Sequence, residues 1–310
     1  MKNFATKIAL VLSTAIFFLS CDKAEEEQLI TTNKTESQKQ QEVISQALAP
    51  CSTVYALVLS GSSGSPVPAG FASTIFKVDL CASPTAYNFV SQITVGGVLV
   101  RSVTGLCDMP GVPDFAWAVT GMNSNFPSKL LRVQISTGAA SVVATTTVPL
   151  QDIENYGNTG LFVAIKEGTS QLMKVSVPGG VCSVFAPPGP TSQYNGLTVV
   201  GNKFHAISGT TNLICSPTLG DIFEYTTAGG PYVAKYSYKN LTANSNWTMK
   251  ELGFHFDACC GKRWTVGSSS GRISHNTNIT PCVLPNPTFL LNTTTTGQNY
   301  WYIYDFMAKI

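Results

Sequence analysis

Carboxylates are the side chains of this sequence best placed to do chemistry. Asp108, Asp152, Glu154, Glu251, Asp257 and Asp305 each fall in or beside a short apolar run. Two carboxyls held about 5–5.5 Å apart can serve as nucleophile and general acid on a glycosidic bond. Asp108 and Asp257 close their runs, where an Asp commonly caps a turn. Asp152, Glu154 and Glu251 lie nearer the starts of theirs and are the stronger candidates. The three histidines, His205, His255 and His275, permit a Ser/His/Asp set by count alone. Yet His205 and His255 sit inside strand-like runs, where a hydrogen-bonded structural histidine is the commoner outcome. Gly61-Ser62-Ser63-Gly64 lacks the spacing of a nucleophile elbow. No phosphate-cradling or dinucleotide fingerprint occurs, and no cofactor is expected.

Nine cysteines are present: Cys21, Cys51, Cys81, Cys107, Cys182, Cys215, Cys259, Cys260 and Cys282. Setting Cys21 aside leaves an even number, which in an exported chain favours disulfides. Cys259 and Cys260 are adjacent and no C-x-x-C pair or Cys/His quartet is found, so no metal site is expected.

The elements that must position these residues begin with a leader. Lys2 and Lys7 give a positive start, Ile8 to Leu19 is apolar apart from Ser13 and Thr14, and Ser20 stands directly before Cys21. The run is short of the roughly 20 apolar residues that span a bilayer, and reads as a signal peptide over residues 1–20. Residues 21–50 are rich in Glu, Gln, Lys, Thr and Ser, have no aromatic residue and contain Glu25-Glu26-Glu27. Such a stretch cannot bury enough apolar surface to offset its ordering entropy and reads as a flexible tether.

A cysteine after a short apolar run and a small residue resembles the lipobox of bacterial lipoproteins, with Phe18 where that family usually has Leu. The looser pattern is similar to lipoproteins of Bacteroidota-type bacteria. The resemblance implies lipid attachment at Cys21, with the two or three acyl chains that stable anchoring needs. It also implies an outer-membrane location. The acidic cluster after Cys21 resembles a surface-export signal, so the exposed side is expected, with a periplasm-facing orientation as the alternative.

Beyond Pro50 the chain changes character, and residues 51–310 read as one all-β domain. Hydrophobic residues make up 44% of the chain and charged residues only 12%, about half the ~25% usual for soluble domains. The net charge of +2 is scattered, which excludes the basic stripe of a nucleic-acid binder. A unit of roughly fifty residues recurs. Its predicted strands are, in the first unit, Val54–Leu59, Thr74–Asp79, Tyr87–Ile93 and Ser102–Asp108. The second unit has Phe115–Thr120, Leu130–Ile135, Ala140–Thr145 and Leu150–Tyr156, and the third Leu161–Ile165, Gln171–Ser176, Val181–Phe185 and Tyr194–Val200. The fourth has Lys203–Ser208, Asp221–Thr226, Tyr232–Tyr238 and Met249–Asp257, and the fifth Arg263–Gly267, Gly271–His275, Val283–Leu291 and Tyr300–Phe306.

Features recur in register. The second strands read FKVD, LRVQ, MKVS and FEYT; the fourth strands carry TGL, NGL and LGF; the turns after the second strands read STG, PGG and AGG. Alternation along these strands implies one buried and one wetter face. Four strands per unit, about five times over, is the pattern of a β-propeller, with six blades or a pair of β-sandwiches as alternatives. The chain starts on a second strand and ends on an innermost one, so the C-terminal strand is expected to complete the first blade and close the ring. The units resemble the quinoprotein-like and lactonase-like propellers.

The ring organises the remaining expectations. Cys51 and Cys81 fall at one end of the first blade, and Cys259, Cys260 and Cys282 at that end of the last, which favours Cys51–Cys81 and one of Cys259 or Cys260 with Cys282. Cys107, in an innermost strand, is expected to be a free buried thiol. Loops entering the innermost strands carry Arg101, Asp152, Tyr194, Asn195, Lys250, Glu251, Tyr300 and Trp301. Aromatics beside amides and charges suit a glycan or a protein partner. The expected protein is an anchored, non-catalytic binding propeller; the alternative is a carbohydrate hydrolase using acids at the pore.

Overall fold

Short runs of β-branched and aromatic residues, cut by Gly, Pro and Asn, favour strands joined by tight turns. The computed structural model describes residues 53–59, 73–79, 86–209, 220–238, 253–257, 263–267, 272–276, 287–290 and 302–308. Among them the strands form five sheets. The first holds β1 (Thr53–Leu59), β2 (Ser73–Asp79) and β3 (Ala86–Gln92), with β22 (Tyr302–Ala308) on the inner side of β1. The second holds β6 (Val103–Asp108), β7 (Phe115–Thr120), β8 (Lys129–Gln134) and β9 (Ala139–Thr145), extended by the small hairpin β4 (Thr94–Val95) and β5 (Val98–Leu99). The third runs β10 (Leu150–Asn155), β11 (Phe162–Lys166), β12 (Leu172–Val175), β13 (Cys182–Ala186). The fourth runs β14 (Gly196–Val200), β15 (Lys203–Gly209), β16 (Gly220–Thr226), β17 (Ala234–Tyr238). The fifth runs β18 (Phe254–Asp257), β19 (Arg263–Gly267), β20 (Arg272–Asn276), β21 (Pro287–Leu290).

The fold is an all-β propeller. Within each sheet the four blade strands pair antiparallel in a meander, with β22, β6, β10, β14 and β18 innermost. The inner strands neighbour one another in the order β22, β6, β10, β14, β18 and back to β22. The C-terminal strand pairs with the first one, Val54 opposite Ala308 and Leu59 opposite Tyr302, with a bulge between Leu57 and Val58. This is the closure that the strand order in the sequence predicts. The β4–β5 hairpin went unforeseen, although Gly96-Gly97 between β-branched residues is a hairpin signal.

The core lies between sheets. Successive residues of one strand enter different layers. In β7, Ala116 and Ala118 pack toward the first sheet, while Trp117 and Val119 pack toward the third. In β11, Phe162 and Ala164 join the second sheet, and Val163 and Ile165 join the fourth. In these strands stacked blades bury both faces, while the second strands read from the sequence keep the expected alternation, with Lys77 exposed between buried Phe76 and Val78 in β2 and Lys174 exposed between buried Met173 and Val175 in β12. The outermost strands are wetter, as in β9, where Ala139, Ser141, Val142, Val143 and Thr145 are exposed.

The recurring STG, PGG and AGG turns acquire a physical role. Each joins the last two strands of a blade and leans on the outer strand of the blade before. Thr94 N–H donates to Gly138 O (2.9 Å), Thr147 N–H to Gly180 O (3.3 Å), and Gly230 N–H to Phe185 O (3.0 Å). A Cβ on Gly138 would lie 2.0 Å from Gln92 O, one on Gly180 2.8 Å from Thr145 O, and one on Gly229 2.5 Å from Phe185 O. The glycines are needed for close approach as well as for positive φ.

Gly111 separates the two causes, because its φ of +73° matches the +72° of Gly138 while nothing lies within 4 Å of its Cβ position. Gly111→Ala should cost about 1 kcal/mol from backbone strain. Gly138→Ala should cost about 2–4 kcal/mol, strain plus collision. Urea unfolding of the two variants against the parent measures the difference; equal costs would mean that the turn does not clasp the neighbouring blade.

Candidate functional site

An innermost strand has a ladder partner on one side only. Its other edge faces the ring centre with bare N–H and C=O groups, which are costly to leave unpaired when buried. Side chains from neighbouring inner strands supply the partners. Asp305 Oδ2 on β22 accepts from Leu106 N–H on β6 at 2.6 Å. Asp152 Oδ2 on β10 accepts from Leu197 N–H on β14 at 2.6 Å. Leu106 follows Gly105 and Leu197 follows Gly196, so the repeated Gly-Leu marks the point where a carboxylate from the preceding inner strand docks. Thr104 Oγ1 donates to Leu150 O (2.8 Å), Gln151 Nε2 to Asn195 O (3.2 Å) and Asn155 Nδ2 to Asp108 O (2.8 Å). A Cβ on Gly105 would lie 2.6 Å from Asp152 Cα, so β6 and β10 touch at the backbone here.

Asp152 and Asp305 are fully buried. Burial drives the Asp152 carboxyl up to about 8, against the pull of the N–H groups of Leu197 and Ile153. Glu154, two residues on, remains partly exposed. Enclosure holds its carboxyl well above the usual range, with Asp152 and Asp108 adding repulsion and the Asn155 N–H opposing. Asp108 is raised by burial and drawn back by the Asn155 amide, which also bonds its carboxylate. Of the pore acids read from the sequence, Asp152 and Asp305 lie buried on the two strands that flank β6, Asp108 closes β6 and Glu154 shares β10 with Asp152. Asp305 is not among the stronger candidates by position in its strand, and its partner N–H lies 199 residues away in the chain.

Cys107 is a free, fully buried thiol, as its place in an inner strand implies. Burial raises its pKa well above normal, and Glu154, Asp108, Asp305 and Asp152 raise it further. Cys182 is also free and only half-buried.

The residues read as a binding face separate. Arg101 precedes β6 and is partly exposed, its N–H donating to Asn125 Oδ1 at 2.8 Å and its carbonyl accepting from Ser124 Oγ. Tyr194 is a correction. Its side chain is fully buried, tilted against Phe223 at 5.4 Å, with its hydroxyl 2.5 Å from that of Tyr225. No ring face remains for a glycan. Asn195 is likewise buried and engaged by Gln151. Asp152 lies beneath the surface. Lys250, Glu251, Tyr300 and Trp301 lie outside the described residues, as do Cys21, Cys51, Cys81, Cys259, Cys260, Cys282 and the leader and tether.

The sequence reading missed one polar network. His205 on β15 faces Glu224 on β16 in register, with Nε2 to Oε2 at 3.2 Å, and Lys203 pairs with the other Glu224 oxygen. Burial lowers the His205 pKa, with Glu224 opposing, so it is a structural histidine bonded across strands. Among the described residues no three His, Cys, Asp or Glu side chains converge as metal ligands.

No protein-family profile matches the sequence, and no curated protein matches it. Solved structures similar in strand layout include the nidogen/laminin complex, at 10% identity over 73% of this chain and 74% of that one, TM-score 0.45. YCF48 bound to D1 peptide is similar at 11% identity over 73% of this chain and 66% of that one, TM-score 0.35. Hydrazine synthase of Kuenenia stuttgartiensis is similar at 12% identity over 79% and 68%, TM-score 0.42.

The two described thiols should differ sharply in reactivity. Brief alkylation of the folded protein, read by peptide mass spectrometry, is expected to modify Cys182 and spare Cys107 until the chain is unfolded. Rapid native labelling of Cys107 would contradict its placement between blades.

Proposed function

We propose that this chain is a non-catalytic binding propeller of five blades, held at the outer membrane by lipid on Cys21 and offering its outer surface to a protein or glycan partner. One observation carries the reading: the acids at the ring centre are committed to structure. Asp152 and Asp305 are sealed from solvent and bonded to the backbone of the next blades. A retaining glycosidase needs two carboxyls that the substrate can reach. Exposed apolar residues lie on outer strands instead, Val142 and Val143 on β9 and Val184 on β13, which favours contacts made by the outside of the ring.

A hydrolase keeps one specific support, the partly exposed Glu154, whose raised pKa suits a general acid. Incubating the full chain with a panel of surface glycans distinguishes the two. The binding reading expects retention of ligand with no new reducing ends. Turnover that disappears in Glu154→Gln would establish the hydrolase. The anchor is tested separately: Cys21→Ala should move the protein from the membrane fraction to the soluble one, and a variant still held at the membrane would remove the lipid from the account.

A further inference from the structure

The repeated segments FKVD, LRVQ and MKVS fall on β2, β8 and β12, the third strands of the first three blades. Pairing with the fourth strands sets them in one register. Lys77 lies opposite Asn88 and Phe76 opposite Phe89. Arg132 lies opposite Ser141 and Leu131 opposite Val142. Lys174 lies opposite Ser183 and Met173 opposite Val184. In each blade a bulge follows on the far side of the apolar pair from the cation. The repeat faces water. Phe89, Val142 and Val184 are 43%, 41% and 61% exposed. Asn88, Ser141, Ser183, Lys77 and Lys174 are exposed, and Arg132 is half-buried.

Among the described residues none of the three cations has a carboxylate partner. Arg132 stacks on the Phe115 ring at 4.1 Å and leaves its Nε unbonded. β3, β9 and β13 carry no charged residue, although edge strands commonly use charge to deter association. The fourth blade breaks the pattern. Glu224 stands where the cations stand and is bonded by Lys203 and His205. Lys235 takes the apolar position opposite Phe223 and pairs with Asp221 at 2.8 Å.

A cation beside a small polar side chain and an exposed apolar one fits an acidic sugar. The cation pairs with its carboxylate, the amide or hydroxyl bonds a ring hydroxyl, and the apolar side chain covers a C–H face. Three copies in series match a ligand that repeats. A flat bilayer does not follow the curve of three successive blades, and a second copy of this chain would bring like charges together. We propose that the outer edges of the first three blades form a row of equivalent subsites for an acidic polysaccharide, with Lys77, Arg132 and Lys174 each holding a sugar carboxylate. The inference rests on the binding reading above and names its partner.

The test is retention of the full chain, held in mild detergent, on immobilised polygalacturonate, with dextran as the neutral control. Polygalacturonate should retain the chain, less so as salt rises, and dextran should not. Lys77→Gln combined with Lys174→Gln changes only exposed side chains and should weaken retention by about fivefold or more. Lys235→Gln removes a positive charge outside the row and should leave retention unchanged. No retention on polygalacturonate, undiminished retention of the double variant, or an equal loss in Lys235→Gln overturns the row. Capture by anionic phospholipid vesicles in place of polygalacturonate also overturns it and assigns the edge to a membrane. Retention on neutral glycans alone overturns the row and leaves the binding propeller standing, whereas new reducing ends on the polymer remove both.

Discussion

The open inner edge of each sheet is the constraint on which the ring depends. Four-stranded blades can stack apolar faces indefinitely, but each innermost strand still presents unpaired backbone groups toward the centre. Water would satisfy them only by keeping the centre wet and the blades apart. Here side chains of the neighbouring inner strands act as the absent ladder partner: carboxylates for the N–H groups of Leu106 and Leu197, and hydroxyl or amide groups for the carbonyls of Leu150, Asn195 and Asp108. Charged acceptors make the stronger bonds, and they bring a cost, because carboxylates gathered in a dry space repel one another. Burial there pushes the Asp152 and Glu154 carboxyls above their ordinary range.

The rim meets the complementary problem with backbone alone. Outer strands are exposed edges, and the docked glycine turns cover part of each by approaching closer than any side chain allows. On β9 the β4 strand adds parallel pairing at Ala139 and Ala140. Between centre and rim, the blades are held by apolar layers in which large side chains such as Trp117, Phe162, Tyr194 and Phe204 interdigitate. Burying side chains of this kind stabilises by about 1.5–3 kcal/mol each, which makes the layers the bulk of the stability. The polar bonds at the centre set which strand sits beside which.

Much of this architecture was legible in the sequence, for local reasons. Strand runs, the four-strand unit and closure by the last strand follow from period-two patterning and chain order. The repeated Gly-Leu and glycine turns were visible as repeats, though their purpose depended on what lay opposite. Long-range partners were not legible. Nothing near Asp305 announces Leu106, and nothing near Tyr194 distinguishes a buried core ring from an exposed stacking ring, because both occur after a turn and before a strand.

If side chains close the inner edges, removing one acceptor should unprotect a particular amide. Native-state hydrogen exchange at Leu106 and Leu197, compared between the parent and Asp305→Ala, measures this directly. The account predicts that Leu106 loses protection by about tenfold or more, the equivalent of one such bond, while Leu197, still held by Asp152, loses less. Equal protection of Leu106 in both proteins would show that the ring is held without its central carboxylates and would contradict the account.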